Sequence, residues 1–172
     1  MTRAAVTGPV VTVAASRAPR WICSKSKGHT VKGVLSIMDP VGFYHWKRPF
    51  GLHLVPTLRL SFEDVELTTR QHAPTVNDVE CILKWGARHH DHFNNPQHPD
   101  RVIIHCYAGV SRSTAATFIC FAQALGPGQE AEAWTMAKAA QEQRPFLPNE
   151  LIVVIADKLL NRNGRMTAML DP

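Results

Sequence analysis

The chain has 172 residues, 45% of them hydrophobic and 19% charged, with a formal net charge of +5. That length and apolar content suit one domain, residues 1–172, with a real core, and they exclude disorder throughout. The positive balance favours an anionic partner, but no Lys/Arg block resembles a nucleic-acid arm, so no nucleic acid is expected.

No apolar run approaches the ~18 residues needed to span a bilayer, so no membrane association is expected. The opening "MTRAAVTGPVVTVAASRA" faintly suggests an export signal, but Gly8-Pro9 interrupts the run. Pro9 to Ala14 reads better as a first β-strand. Cys23, Cys81, Cys106 and Cys120 lie far apart with no C-x-x-C pair. They read as reduced thiols of a cytoplasmic protein rather than a disulfide framework.

Trp21 to Lys32 reads as polar and irregular, with Gly28 as a breaker. Gly33 to Met38 is a buried strand ended by Asp39-Pro40. Val41 to Phe50 is aromatic and turn-like. Leu52 to Phe62 alternates as one or two strands, broken at Pro56. Glu63 to Ala73 is a polar loop. Thr75 caps a helix with Asp78 at its third position, and Val76, Val79, Ile82, Leu83 and Trp85 form its apolar stripe. His89 to Asp100 reads as a solvated loop. Its His89, His90, His92 and His98 lack the regular spacing of a metal site, so no metal is expected. Arg101 to His105 is the central strand. Helices follow at Ser111–Leu125, Gln129–Gln143 and Asn149–Leu160, and Arg162 to Met166 reads as a basic, partly frayed tail. Strands mixed with helices in this order predict an α/β fold layered around a sheet.

The chemistry concentrates in "VIIHCYAGVSRSTAA", Val102 to Ala116. A strand, a tight loop and a helix form an anion site almost by default. Successive loop N–H groups turn inward as a nest, and the helix N-terminus adds unpaired N–H groups and partial positive charge. Gly109 lets the loop curl. A cysteine at the start of this loop, Cys106, lies over that field. Its thiolate should be favoured and its pKa depressed, making it a nucleophile at neutral pH. Arg112 offers a planar fork that matches two phosphate oxygens at once. Ser113 can hydrogen-bond the sulfur and ease its departure. The bland alternative is a buried cysteine beside a helix-capping serine, with Arg112 in a surface ion pair. For Cys81 and Cys120, on apolar helical faces, plain packing is the expectation.

His105-Cys106-Tyr107-Ala108-Gly109-Val110-Ser111-Arg112-Ser113 resembles the signature H-C-x-x-G-x-x-R-[S/T] of cysteine-based protein tyrosine phosphatases. Five fixed positions match by chance in such a chain with a probability on the order of 10⁻⁵. The element order from about Gly33 to Leu160 also fits the family. The resemblance implies a mostly parallel central sheet flanked by helices, of the compact dual-specificity type. It implies hydrolysis of phosphate monoesters through a cysteinyl-phosphate, with no metal or organic cofactor. Substrate phosphate would rest on Tyr107, Ala108, Gly109, Val110, Ser111 and Arg112, with His105 tuning Cys106 from behind.

The resemblance also implies an aspartate acid on a loop before the signature. "LSFEDVEL" supplies Asp64, with Glu63 and Glu66 as close competitors and Asp39 outside them. Strand alternation should put Glu63 and Asp64 on opposite sides. The Trp-Pro-Asp of the larger tyrosine phosphatases is absent, and no glutamine-bearing water loop is apparent. Tyr107 and Val110 stand where the phosphoinositide-directed branch carries basic residues, which disfavours a lipid headgroup. The expected partner is a phosphorylated protein or small phosphate ester. Phe43, Tyr44, His45 and Trp46 could wall a deep pocket or form a core edge, and Cys23 could act as a resolving thiol. A phosphate-binding module without turnover, or another thiolate oxyanion enzyme such as an arsenate reductase or sulfur transferase, remains the alternative.

Overall fold

Four strands pair in parallel in the computed structural model, which describes residues 8–23, 30–41, 55–142 and 145–170. They are β1 (Val10–Ala14), β2 (Val31–Met38), β3 (Thr57–Ser61) and β4 (Arg101–Cys106), in the order β1-β4-β2-β3. His105 of β4 pairs with Val13 on one side and Ser36 on the other, so β4 is interior. Its uninterrupted apolar run suits that place, because an all-parallel sheet is buried on both faces.

Strand alternation divides the core. Val10, Leu35, Ile37, Leu60, Val102 and Ile104 pack with helices α2 (Val76–Arg88), α4 (Arg112–Leu125), α5 (Glu130–Ala139) and α6 (Glu150–Leu159). Val11, Val13, Val34 and Ile103 turn the other way, against Ala18 and Trp21 of α1 (Ala18–Cys23). Cys106 therefore continues the Ile104 row toward the helices, while His105 continues the Ile103 row. The fold is the expected α/β sheet flanked by helices, with every pairing among the described residues parallel.

Thr75 closes the predicted capping box with Asp78: Asp78 N–H donates to Thr75 Oγ1 at 3.2 Å, and Thr75 N–H donates to Asp78 Oδ2 at 2.9 Å. Four local expectations need correction. Val76 is exposed and leaves the stripe, because it lies in the first turn beside a shallow groove lined also by Val154 and Ile155. Residues 18–23, partly read as irregular, form the short α1. The segment read as a solvated loop contains helix α3 (His90–Asn94), anchored by Phe93, whose ring meets Phe121 edge-on at 5.1 Å. His92 is buried with it and stacks 4.0 Å from His98. Burial first, then His98 and His89, push the His92 imidazole down to about 4. Five residues with one large apolar side chain carry too little periodicity to announce a helix. Phe43, Tyr44, His45, Trp46 and Gly28, and the side chain of Cys23, lie outside the described residues.

The tail is not frayed. Arg162 is buried, donating from Nη2 to Ala122 O at 2.8 Å and lying 3.4 Å from Glu130 Oε1. Asp157 on α6 accepts from Gly164 N–H at 2.7 Å, Met166 N–H at 2.8 Å and Thr167 N–H at 3.3 Å. These acceptors turn the chain back so that Met166 enters the core. Without this carboxylate the N–H groups of Gly164, Met166 and Thr167 would lose their acceptor, and a buried donor left unpaired is costly. Asp157→Ala should therefore cost about 3 kcal/mol, a fall in Tm of about 10 °C by calorimetry.

Candidate active site

The site forms at the C-terminal edge of the parallel sheet, where α/β proteins gather their ligands. β4 ends at Cys106, and the chain curls through Tyr107–Ser111 into α4. Gly109 carries φ +74°, a left-handed conformation that favours glycine. It also lies against the end of β1: a Cβ there would come within 2.6 Å of Val13 C and closer to Ala14 N. The loop is fixed from outside. Gln141 Nε2 donates to Gly109 O and to Pro145 O, both at 2.9 Å, and Leu147 N–H donates to Val110 O at 3.1 Å.

Cys106 is buried. Its Sγ accepts from Gly109 N–H at 3.2 Å and sits 3.1 Å from Ser113 Oγ. Both groups can stabilise negative sulfur. Ser111 stands at the N-cap of α4, yet its hydroxyl does not cap the helix. It donates instead to Asp64 Oδ1 at 2.6 Å. The first-turn N–H groups of α4 thus keep their outward, anion-seeking character. Behind them Thr117 Oγ1 donates to Ser113 O at 2.8 Å and lies 2.7 Å from Thr12 Oγ1, tying α4 to β1.

Arg112 is only 4% exposed. Nη1 donates to Phe62 O at 2.7 Å, at the end of β3, while Nε makes no hydrogen bond and lies 3.9 Å from Asp64 Oδ2. Asp64 is 38% exposed on its side chain. Among the described residues it is the one of Glu63, Asp64 and Glu66 whose carboxylate bonds the signature loop. Asp39 follows the end of β2. Sequence reasoning missed Asn149, which donates from Nδ2 to Asp64 Oδ1 at 2.9 Å. It also missed Gln141 and the Phe62 carbonyl.

His105 is fully buried on the opposite face from Cys106. Burial lowers its imidazole from 6.5 to about 4, a backbone hydrogen bond with Cys106 opposes this, and the Arg59 charge adds to the lowering. It is neutral at physiological pH. Among the described residues no three His, Cys, Asp or Glu side chains gather as a metal set would.

Several solved structures share this architecture. The fold matches Tk-PTP in the active form at TM-score 0.54 and 17% identity, over 92% of this chain and 95% of that one. It matches human DUSP28 at TM-score 0.56 and 16% identity, over 91% and 94%. The chain has the dual-specificity phosphatase fold. PTPMT1 in complex with PI(5)P is also similar, at TM-score 0.50 and 17% identity, over 93% and 97%. No protein-family model and no curated protein matches the sequence. At this edge the Cys106–Ser113 loop, Arg112 and Asp64 come together. Tyr107 stands 66% exposed at the loop, while Val110 is half-buried.

A buried neutral histidine makes the protein acid-sensitive. The unfolded imidazole binds its proton near pH 6.5 and the folded one near 4, so stability is full above about 6.5 and declines as pH falls toward 4. His92 acts in the same window. Urea unfolding from pH 7 to 4 should show this loss, and His105→Gln should flatten part of its slope.

Proposed function

We propose that the protein hydrolyses phosphate monoesters, phosphotyrosine or dual-specificity substrates, through a cysteinyl-phosphate intermediate in the cytoplasm. The observation that carries this is Arg112. A guanidinium buried this deeply needs an anion, and its nearest carboxylate is only partly buried and 3.9 Å away. Nε remains for a phosphate oxygen, beside a sulfur already held by an N–H and a hydroxyl.

Cys106 Sγ attacks phosphorus and the P–O bond to the leaving group breaks. Asp64 gives its proton to the departing oxygen. The resulting carboxylate then takes a proton from water as that water attacks phosphorus. The S–P bond breaks, and Ser113 stabilises the returning sulfur anion. Loop N–H groups and Arg112 hold the charge that moves to the equatorial oxygens, so preorganised electrostatics carry most of the rate.

Exposed Tyr107 and Leu147 border the loop. Neither offers charge to a polyphosphorylated inositol ring, whereas both suit an aryl ester. A phosphorylated protein, with phosphotyrosine foremost, is the substrate class this favours.

Purified protein should release p-nitrophenol from its phosphate ester, and vanadate should inhibit as a mimic of five-coordinate phosphorus. Cys106→Ser should abolish release. Asp64→Asn should slow poor leaving groups by roughly 10²–10⁴-fold and good ones far less. Inert wild-type protein that still retains phosphopeptide would make this a binding module, and arsenite or thiocyanate production without phosphate release would make it another oxyanion enzyme.

A further inference from the structure

Asn149 does more than start a helix. It is 1% exposed and occupies the N-cap of α6, where its Oδ1 accepts from Ile152 N–H at 3.1 Å. The other end of the same amide reaches the acid loop: Nδ2 donates to Asp64 Oδ1 at 2.9 Å and to Val65 O at 3.2 Å. Its backbone N–H donates to Ser111 O at 3.3 Å. One residue thus joins the acid-bearing loop, the signature loop and the start of α6.

The amide's orientation follows from its partners. Oxygen must face the Ile152 N–H and nitrogen must face the carboxylate and the carbonyl. Serine, threonine or aspartate would cap α6 equally well. None of them can accept at the cap and also donate twice toward residues 64–65. Asparagine is more than the cap requires.

We propose that Asn149 is a positioning residue of the phosphatase reaction, holding Asp64 over the signature loop with one chosen oxygen free. This rests on the phosphoryl-transfer reading above. Asp64 Oδ1 accepts from both Asn149 Nδ2 and Ser111 Oγ. Two donors occupy that oxygen, so the transferable proton belongs on Oδ2, the oxygen on the Arg112 side. Asn149 restricts rotation of the carboxyl group and keeps Oδ2 aimed at the leaving group in the first step and at water in the second. It touches neither sulfur nor phosphate in this scheme.

The test uses variants that keep the cap. Asn149→Ser and Asn149→Thr can both accept from Ile152 N–H, and neither can also donate to both Asp64 and Val65 as the amide does. kcat/KM, which reports the steps through P–O cleavage and not the later hydrolysis, is measured on phenyl phosphate, whose poor leaving group needs the acid, and on p-nitrophenyl phosphate, which needs it little. Each variant should lose about tenfold or more on the first and no more than about threefold on the second, while remaining folded at the assay temperature. In an Asp64→Asn background, adding Asn149→Ser should change neither rate. Equal losses on both substrates, the same losses without Asp64, or unfolding of both variants would reduce Asn149 to a cap and overturn the proposal. Wild-type protein inert on both substrates would instead sink the phosphatase reading itself, and this inference with it.

Discussion

A buried guanidinium organises this molecule's functional edge. Arg112 leaves water at the first residue of α4, and the Phe62 carbonyl alone satisfies part of it. Phe62 is itself locked, with its ring in the core and its N–H on Met38 O at 3.0 Å. The end of β3 therefore sets where the cation points. What remains of the guanidinium requires negative charge nearby, and Asp64 follows Phe62 by two residues in the same chain turn. Cation, acid and sulfur are brought together by the ends of two parallel strands.

The supports come from farther along the chain. The open edge of β1 is covered by residues 140–142, since Thr12 N–H donates to Ala140 O and Glu142 N–H donates to Thr12 O. Gln141, in that same crossing, grips the Gly109 carbonyl from behind. The first turn of α6 holds the acid loop from the other side. The loop that would cradle phosphate is thus clamped on its outer surface while its inner surface faces the buried sulfur. Preorganisation of this kind is what gives fixed dipoles their catalytic weight.

Much of this was legible in the sequence because the chemistry is local. Strand, cysteine, glycine, arginine and following helix lie within fifteen consecutive residues, and the Thr75–Asp78 box lies within four. What escaped is what depends on long-range contact. Asn149 reads as an ordinary helix cap, and its second job appears only when residues 85 positions apart meet. The "RNGR" segment looks like a solvated tail because its two anions, Glu130 and Asp157, lie on separate helices. α3 was hidden because a single phenylalanine anchors it. Which neighbouring carboxylate meets the loop was equally hidden, because Ser111 donates to Asp64 instead of capping α4.

The sulfur of Cys106 carries the proposed chemistry. Acid quenching during turnover of an aryl phosphate, followed by peptide mass mapping, reads directly whether phosphate passes through it. Phosphate should appear on the peptide holding Cys106, and more of it should accumulate in Ser113→Ala, where sulfur departs less readily. Steady phosphate release with that peptide never modified, in either protein, would contradict the whole arrangement.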